Sequence, residues 1–252
     1  MYSTTGFTRG QIDRLVLLIR DLQNAGYSLA YPPSLGLRKS IIITLTYLRR
    51  NHTQEDLADR YATSQPTISR TIAAMTPALA DATADWIPVA DDLDPDVPLI
   101  IDETLLPCWS WADIPDLYSG KHHTTGVNVQ IAATLSGRLL WVSDPLPGST
   151  HDLTALRTHG VLDTEDLLTI VADKGYIGAG LITPIKKPPG GELTDDQKQF
   201  NKELNAIRAT IERTIAHLKT WRILHTDYRR PYHTFAQTIT AVLGLQFLKL
   251  AS

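Results

Sequence analysis

The pattern of hydrophobic and polar positions predicts that the chain begins with two helices. Residues 8–25 repeat apolar side chains at helical spacing, and Gly26 stands where such a helix would end. A second apolar segment at 38–50 also favours a helix, although the β-branched residues at 41–43 would suit a strand as well. We interpret both segments as helices.

Two helix starts follow one another closely between residues 53 and 76. Thr53 followed by Asp56 has the form of a capping box, and Ser64 can cap a second helix whose first turn tolerates Pro66. Two short helices joined by about three residues predict a helix-turn-helix. The start of the second helix would face outward with residue types that read base edges in the major groove, namely Gln65, Thr67, Ser69 and Arg70. An ordinary helical hairpin with a polar face is the alternative.

The second part of the chain mixes strands with helices. The composition shifts to aspartate and proline over 81–98, and we assign 89–97 to a linker. Beyond it we predict a short helix capped by Ser149 or Thr150, strands at 99–105, 127–135, 138–143 and 167–172, and helices at 194–221 and 232–250. The chain would thus have an all-helical domain at 1–88 and an α/β domain at 98–252, the latter resembling the ribonuclease H fold.

The net charge of −3 conceals an uneven distribution along the chain. Residues 1–90 carry +2, residues 91–185 carry −10 and residues 186–252 carry +5. An acidic middle between basic ends suits a cation-binding site flanked by surfaces that bind phosphate. A solvated acidic face next to an aspartate-rich linker is the alternative.

The composition also indicates the cellular compartment in which we expect the protein. The single cysteine, Cys108, excludes an internal disulfide and a cysteine-rich zinc site, and it favours the reducing cytoplasm. The first residues lack a basic segment followed by an apolar one, and threonines interrupt the longest apolar run, at 41–48. We therefore expect neither an export signal nor a membrane span.

Two aspartates stand in or after predicted apolar strands. Asp102 lies within Leu-Ile-Ile-Asp, where a charge is costly unless it has a partner, and a metal ion would be such a partner. Glu103 would point to the opposite face of the strand, so the two acids cannot both serve one site, and the family resemblance given below selects Asp102. Asp173 follows a second apolar strand, and Gly175 would let the chain turn as it leaves the sheet.

The third candidate acid lies on the long predicted helix. Glu212 shares a helix face with Arg208 and Lys219, because four and seven residues separate the three. The neighbouring face would bind the helix to the sheet through Leu204, Ile207, Ile211, Ile215 and Leu218. A surface helix with salt bridges is the alternative.

Three such carboxylates suit two-metal chemistry at a phosphodiester. Carboxylate oxygens are the ligands that Mg²⁺ and Mn²⁺ prefer, and two ions about 4 Å apart assist the attacking and leaving oxygens. We expect Asp102 to bridge both ions, with Asp173 on one and Glu212 on the other. Arg208 and Lys219 would hold phosphates or orient ligands.

The residues around these acids resemble the insertion-sequence-5 group of bacterial transposases and the related eukaryotic Harbinger-type nucleases. The family's pattern Tyr-x2-Arg-x3-Glu-x6-Lys falls on Asn205, Arg208, Glu212 and Lys219, so that only the tyrosine is replaced. The segments 101–104, 147–152 and 173–176 are similar to the family's first and second acidic regions, and the helix-turn-helix is similar to the one before its nuclease domain.

The resemblance implies a DNA transposase with a ribonuclease H-like DDE endonuclease domain. Such an enzyme cleaves DNA at the ends of its element with two Mg²⁺ or Mn²⁺ ions and joins the freed ends to target DNA. The implied partners are double-stranded DNA and a second copy of the chain, and the implied location is the bacterial nucleoid. An inert DNA-binding regulator and a metal-dependent nuclease without strand joining are the alternatives.

Asp152 is a second candidate for the position that we assign to Asp173. It follows a Gly-Ser-Thr turn and could lie near the strand ends, but a residue at a helix start more often caps the helix or supports a ligand. Gly175 and Tyr176 complete the second acidic region in the resemblance and are expected to support the site.

Two further groups have competing interpretations. Lys121, followed by His122 and His123, is expected to contact DNA, and a zinc site at the histidines is the alternative. Trp109 and Trp111 are expected to pack in the core, and stacking on an unpaired base is the alternative.

Overall fold

The computed structural model describes residues 2–109, 113–161 and 170–251. Within these ranges the α-helices are α1 (Tyr2–Thr5), α2 (Arg9–Asn24), α3 (Gly36–Arg50), α4 (Gln54–Arg60), α5 (Gln65–Ala82), α6 (Asp152–Thr158), α7 (Asp195–Leu218) and α8 (Phe235–Leu250). The strands are β1 (Leu99–Pro107), β2 (Tyr118–Ser119), β3 (Thr124–Thr134), β4 (Leu139–Val142), β5 (Leu146–Pro147) and β6 (Ile170–Val171). The helical start and the mixed second part are therefore confirmed.

The chain forms two compact units, which do not follow the predicted domain ends at every point. We call residues 1–87 together with 219–252 the helical unit, and residues 88–218 the sheet unit. Residues 219–252 belong to the predicted α/β domain, whereas α8 packs against α5 within the helical unit. Because α8 is apolar on nearly all sides, its periodicity does not indicate which element covers it.

The helical unit is organised around α5, which contacts α2, α3, α4 and α8. The predicted starts of α4 and α5 are confirmed, since the hydroxyls of Thr53 and Ser64 accept hydrogen bonds from the backbone N–H groups of Asp56 and Thr67. The carboxylate of Asp56 lies 2.7 Å from His52 Nδ1. Asp56 is thus an ion-pair partner of His52, and its backbone alone serves the predicted capping box.

Within the described residues the sheet unit contains a six-stranded sheet with the order β2-β3-β1-β6, in which β4 and β5 also pair with β3. Strand β3 pairs antiparallel with both β1 and β4, whereas β1 and β6 run parallel. An isolated parallel bridge joins Val171 to Ile182 beyond β6. Of the strand predicted at 167–172, residues 167–169 lie outside the described part of the chain.

A hydrophobic core lies under the sheet of this unit. It includes Leu99 and Ile101 of β1, and it continues through Leu156 of α6 to the fully buried Tyr176. Alternate residues of a strand point to opposite faces, so Leu99 and Ile101 share the face that packs in this core. The segment 99–105 is thus confirmed as a strand, two residues shorter than β1.

Two predicted helix boundaries are wrong. The cap of α6 is His151, which makes no side-chain capping bond, rather than Ser149 or Thr150. Helix α7 ends at Leu218 rather than at 221, so Lys219 lies beyond the helix. Among the described residues no helix has both the length and the apolar character that crossing a membrane requires.

Candidate metal centre

Asp102 and Asp173 lie side by side on neighbouring strands. Strands β1 and β6 pair in parallel, with Leu99 opposite Ile170 and Ile100 opposite Val171. Continuing this register by two residues brings Asp102 opposite Asp173, just beyond the end of β6. The sheet thus brings together two acids that are far apart in sequence.

The surroundings of Asp102 oppose its negative charge in part and stabilise it in part. Burial raises the pKa of the Asp102 carboxyl, and the charge of Asp173 raises it further. The backbone N–H of Glu103 donates to Asp102 Oδ1 at 2.9 Å and limits this increase. Arg208 Nη2 donates to Asp102 Oδ2 at 3.3 Å and acts in the same direction. Asp102 therefore lies where a cation lowers its energy.

Asp173 and Asp152 approach each other at Gly175. The backbone N–H of Gly175 donates to Asp173 Oδ1 at 2.6 Å and fixes that carboxylate. A Cβ atom at Gly175 would collide with Asp152 Oδ2 and would lie 2.8 Å from Asp173 Oδ1. Asp152 Oδ2 and Asp173 Oδ1 therefore both lie close to the position that this Cβ would take. Gly175 lies in the short 3₁₀ turn after Asp173, and its lack of a Cβ leaves room for this close approach.

A second group of charges surrounds Glu103 and shares Asp152 with the first. Lys121 Nζ is 2.5 Å from Glu103 Oε2 and 3.0 Å from Asp152 Oδ2, and His122 Nε2 is 3.4 Å from Glu103 Oε1. The side chain of Glu103 is only 2% exposed, whereas that of Lys121 is 51% exposed. Glu103 and Lys121 border a cavity of about 180 Å³ that the segment 148–152 also lines.

Burial and hydrogen bonds together set the pKa values of Glu103 and Lys121. Burial raises the pKa of Glu103 to about 7, although Lys121 acts to lower it. Burial also acts to lower the pKa of Lys121, but hydrogen bonds to Glu103 and Asp152 outweigh it, so that this pKa is raised. Lys121 therefore stays protonated and holds Asp152 in place.

A buried hydrogen-bond chain supports the loop before Asp152. The hydroxyl of Tyr176 donates to Gln130 Oε1 at 2.5 Å, and Gln130 Nε2 donates to Asn128 Oδ1 at 3.2 Å. Asn128 Nδ2 then donates to the carbonyl of Thr150 at 3.1 Å. The sequence analysis missed Asn128 and Gln130. Their signal was two amides within the otherwise apolar segment 127–133.

Glu212 lies one turn after Arg208 on α7, and its side chain is exposed. The buried face of α7 is only partly the predicted one, because Ile207 is 37% exposed. The helix instead buries Leu204, Thr210, Ile211, Thr214 and Leu218. We predicted that Arg208, Glu212 and Lys219 share one helix face. Because Lys219 lies beyond the end of α7, only Arg208 and Glu212 share it.

The carboxylates in this region are of the ligand type that a hard divalent cation prefers. Asp102, Asp173 and Asp152 offer carboxylate oxygens, and a Cβ at Gly175 would fill the space that Asp173 and Asp152 share. Within the described ranges no three His, Cys, Asp or Glu side chains are gathered closely enough to ligate a single ion. Instead, the cations of Arg208 and Lys121 lie beside these acids.

The helix-turn-helix residues differ in their availability. Arg70 is exposed on α5, and Ser69 is partly exposed. Gln65 donates to Gln54 Oε1 at 2.5 Å, and the Thr67 hydroxyl lies 2.9 Å from that of Ser64. Arg70 is therefore the member of the predicted set that protrudes most freely.

The structure also decides one minor prediction. Trp109 is 52% exposed, so the prediction that it packs in the core is wrong. Trp111 lies outside the described residues.

Two family models match this chain. The model of a family described as DDE superfamily endonuclease matches residues 110–246, and a model described as the helix-turn-helix of DDE superfamily endonuclease matches residues 33–85. No solved structure matches the chain.

Two relatives are assigned as transposases of insertion sequences. One, for element IS702 of Microchaete diplosiphon, is 38% identical over 109 residues, which cover 41% of this chain and 39% of the relative. The other, for element IS112 of Streptomyces albus G, is 28% identical over 222 residues, which cover 87% of this chain and 83% of the relative.

Proposed function

Because this chain belongs to the DDE superfamily endonuclease family, we propose that it is a DNA transposase that cleaves DNA at the ends of its element and joins them to target DNA. The observation that carries this proposal is the proximity of Asp102 on β1 to Asp173, which follows the parallel strand β6, with Arg208 of α7 bound to Asp102. The two relatives, from the insertion elements IS702 and IS112, support the proposal, since both are assigned as transposases.

The sheet unit has, in this proposal, the ribonuclease H-like architecture. The support is its topology, in which β4, β3 and β1 are antiparallel neighbours and β6 lies parallel to β1. In such a sheet the central strand and its parallel neighbour can each present an acid at one edge. Helix α7 would bring the third acid, Glu212, from outside the sheet.

We assign the metal ligands to Asp102, Asp173 and Glu212. Two Mg²⁺ or Mn²⁺ ions, when bound there, supply the activation of the attacking oxygen and the stabilisation of the leaving oxygen. Asp102 and Asp173 would hold the ions together, because Asp102 is buried next to Asp173. Asp152 is the second candidate for the position of Asp173, since the two carboxylates meet at Gly175.

The cations of the site have separate roles. Arg208 balances the charge of Asp102, and its buried Nε has no hydrogen-bond partner among the described residues. A phosphate oxygen would satisfy this donor, which is otherwise costly to bury. Lys121 holds Asp152 against Glu103, and its exposed ammonium can contact DNA on its outer side. Lys219 is assigned a DNA contact on the family pattern alone.

The helical unit recognises the DNA ends. The N-terminal turn of α5 would enter the major groove, where Arg70 and Gln65 read bases, while Thr67 and Ser69 contact base edges or phosphates. The unit carries fourteen Lys and Arg against eight Asp and Glu, whereas the sheet unit carries ten against nineteen. This division favours DNA on the first unit and cations in the second. Two element ends must be processed together, so the active form is a homodimer on DNA in the bacterial nucleoid.

The DNA that flanks the gene tests the proposal first. Short inverted repeats on both sides, with a small target duplication outside them, are expected. DNA carrying these repeats should then be cut by the purified chain in Mg²⁺ or Mn²⁺, and the freed 3′ ends should be joined to a second DNA. If the chain cuts DNA without joining it, the protein is a metal-dependent nuclease rather than a transposase. If it binds DNA without cutting it, the protein is a DNA-binding regulator.

Metal binding has a readout that does not depend on cleavage. Mn²⁺ should raise the melting temperature of the wild-type chain, because an ion that binds only the folded state stabilises it. The increase should be smaller for Asp173→Asn. Asp116→Asn is the matched control, since Asp116 is an exposed aspartate of the same unit, and its response should equal that of the wild type.

A further inference from the structure

A pocket of about 320 Å³ in the helical unit is bordered by three arginines. Arg49 and Arg50 end α3, and Arg222 follows the C-terminal end of α7 in the chain. The remaining border consists of Tyr2, Ser3, Gly6 and Thr220. We call this feature the basic pocket.

The basic pocket gathers positive charge without a carboxylate to balance it. Within the described ranges, neither its three arginines nor the nearby Lys249 forms an ion pair with an acidic side chain. Burial and the charge of Arg50 lower the pKa of Arg49, and burial and the charge of Arg49 lower the pKa of Lys249. The pocket therefore holds like charges that repel one another, which an anion would relieve.

The cations are held in place by neutral partners. Arg49 Nη1 donates to the Thr220 hydroxyl at 2.7 Å, and its guanidinium lies 5.4 Å from the centre of the Trp221 ring. Lys249 Nζ lies 5.4 Å from the centre of the Phe7 ring. Aromatic faces attract cations without neutralising them. The arrangement thus orders positive groups while leaving their charge available to a ligand.

The anion is identified by the unit that carries the pocket. The helical unit contains the helix-turn-helix and has an excess of six positive charges. Proteins of this kind gain most of their DNA affinity from contacts to phosphates, which position the recognition helix but carry no sequence information. Arginine suits this role because its planar fork matches phosphate oxygens.

We propose that the basic pocket binds phosphate groups of the DNA backbone, separately from the base contacts of α5. This inference rests on the proposed function, because it requires DNA as the partner. The basic pocket then contributes affinity that depends strongly on salt and is the same for every DNA sequence.

The test uses the double variant Arg50→Gln with Arg222→Gln in the full chain. Both side chains are exposed, so their replacement should leave the fold intact. Dissociation constants are measured over a salt series for a random-sequence duplex and for a duplex carrying the flanking inverted repeat. The affinity should fall by the same factor on both. The slope of log K against log salt should become shallower by about 0.9 for each phosphate that the variant no longer neutralises.

Three controls separate this effect from others. Lys198→Gln removes a positive charge that is paired with Asp195 in the sheet unit, and it should leave the slope unchanged. Arg50→Lys keeps the charge and should retain most of the slope. Arg70→Gln should lose affinity mainly on the inverted-repeat duplex, because base contacts and not phosphate contacts are removed.

The outcomes distinguish the two levels of the proposal. A wild-type chain that binds neither duplex overturns the proposed function and this inference with it. A wild-type chain that binds both, with a double variant of unchanged affinity and slope, overturns the basic pocket alone. A third outcome is that inorganic phosphate raises the melting temperature of the wild type but not that of the double variant, while the two proteins bind DNA with the same affinity. The basic pocket would then bind phosphate but not DNA, and its DNA-binding role would be overturned.

Discussion

Arg208 donates a hydrogen bond to Asp102 across 106 positions of sequence and so ties helix α7 to the central strand of the sheet unit. Both side chains are largely buried, with 16% and 15% of their surfaces exposed. Because Asp102 is costly to bury as an anion, the guanidinium acts as its counterion where no metal ion is present. A divalent cation and Arg208 would stabilise the same carboxylate.

The first prediction follows from this exchange of counterions. Arg208→Gln should lower the free energy of unfolding by about 1 to 3 kcal/mol in EDTA, since Asp102 loses its charged partner. In Mn²⁺ the loss should be smaller, because the ion supplies the missing charge. Melting temperatures in the two buffers measure this. Arg213→Gln is the control, because Arg213 is an exposed arginine of α7, and its effect on stability should be the same in EDTA and in Mn²⁺. A loss for Arg208→Gln that is equal in the two buffers would contradict the exchange of counterions.

The second prediction concerns the place where Asp152 and Asp173 meet. Gly175→Ala should push these carboxylates apart and should reduce both cleavage and the stabilisation by Mn²⁺. The fold should remain, because the residue is exposed. Gly120→Ala is the control, since a Cβ there meets open space. Wild-type cleavage by Gly175→Ala would show that the close approach is unimportant.

Much of the helical unit could be predicted because helix signals are local. The spacing of apolar residues and the caps at Thr53 and Ser64 lie within the segments that they specify. The packing of α8 could not be predicted in this way. Its residues are apolar on nearly every side, so the sequence predicts a buried helix without indicating its neighbour.

The candidate site was less accessible to sequence reasoning. The positions of Asp102 and Asp173 in apolar strands were evident, but their adjacency depends on the register between β1 and β6, which neither segment encodes alone. The partners of Lys121 could not be foreseen either. Asp152 is 31 residues away, and a lysine in a loop carries no local sign of its partner.

The third prediction tests the buried chain that begins at Tyr176. Tyr176→Phe removes the donor to Gln130 Oε1 and leaves a buried acceptor unsatisfied, which should cost about 1 to 3 kcal/mol of unfolding free energy. Urea unfolding measures this loss. Tyr118→Phe should change the unfolding free energy by less than about 0.5 kcal/mol, because Tyr118 is 52% exposed. Equal values for the two variants would contradict the account.

The fourth prediction concerns pH. Burial raises the pKa of Glu103 in the folded chain to about 7, above the ordinary value of 4.5. Between these values the folded state keeps a proton that the unfolded chain releases, so the contribution of Glu103 to stability falls as pH rises through this window. Glu103→Gln removes the effect, and its unfolding free energy in EDTA should vary less with pH over the same range. Identical pH profiles would contradict the raised pKa.

The central claim is that Asp102, Asp173 and Glu212 together hold the metal ions that cleave DNA. Its most direct test is the rate of Mg²⁺-dependent cleavage of DNA carrying the flanking repeats by Asp102→Asn, Asp173→Asn and Glu212→Gln. Each amide keeps the shape of the side chain and removes a negative ligand, so each rate should fall by several orders of magnitude while DNA binding persists. Asp152→Asn should have a milder effect. Cleavage at the wild-type rate by all three variants would contradict the account, and loss with Asp152→Asn but not with Asp173→Asn would move the second ligand to Asp152.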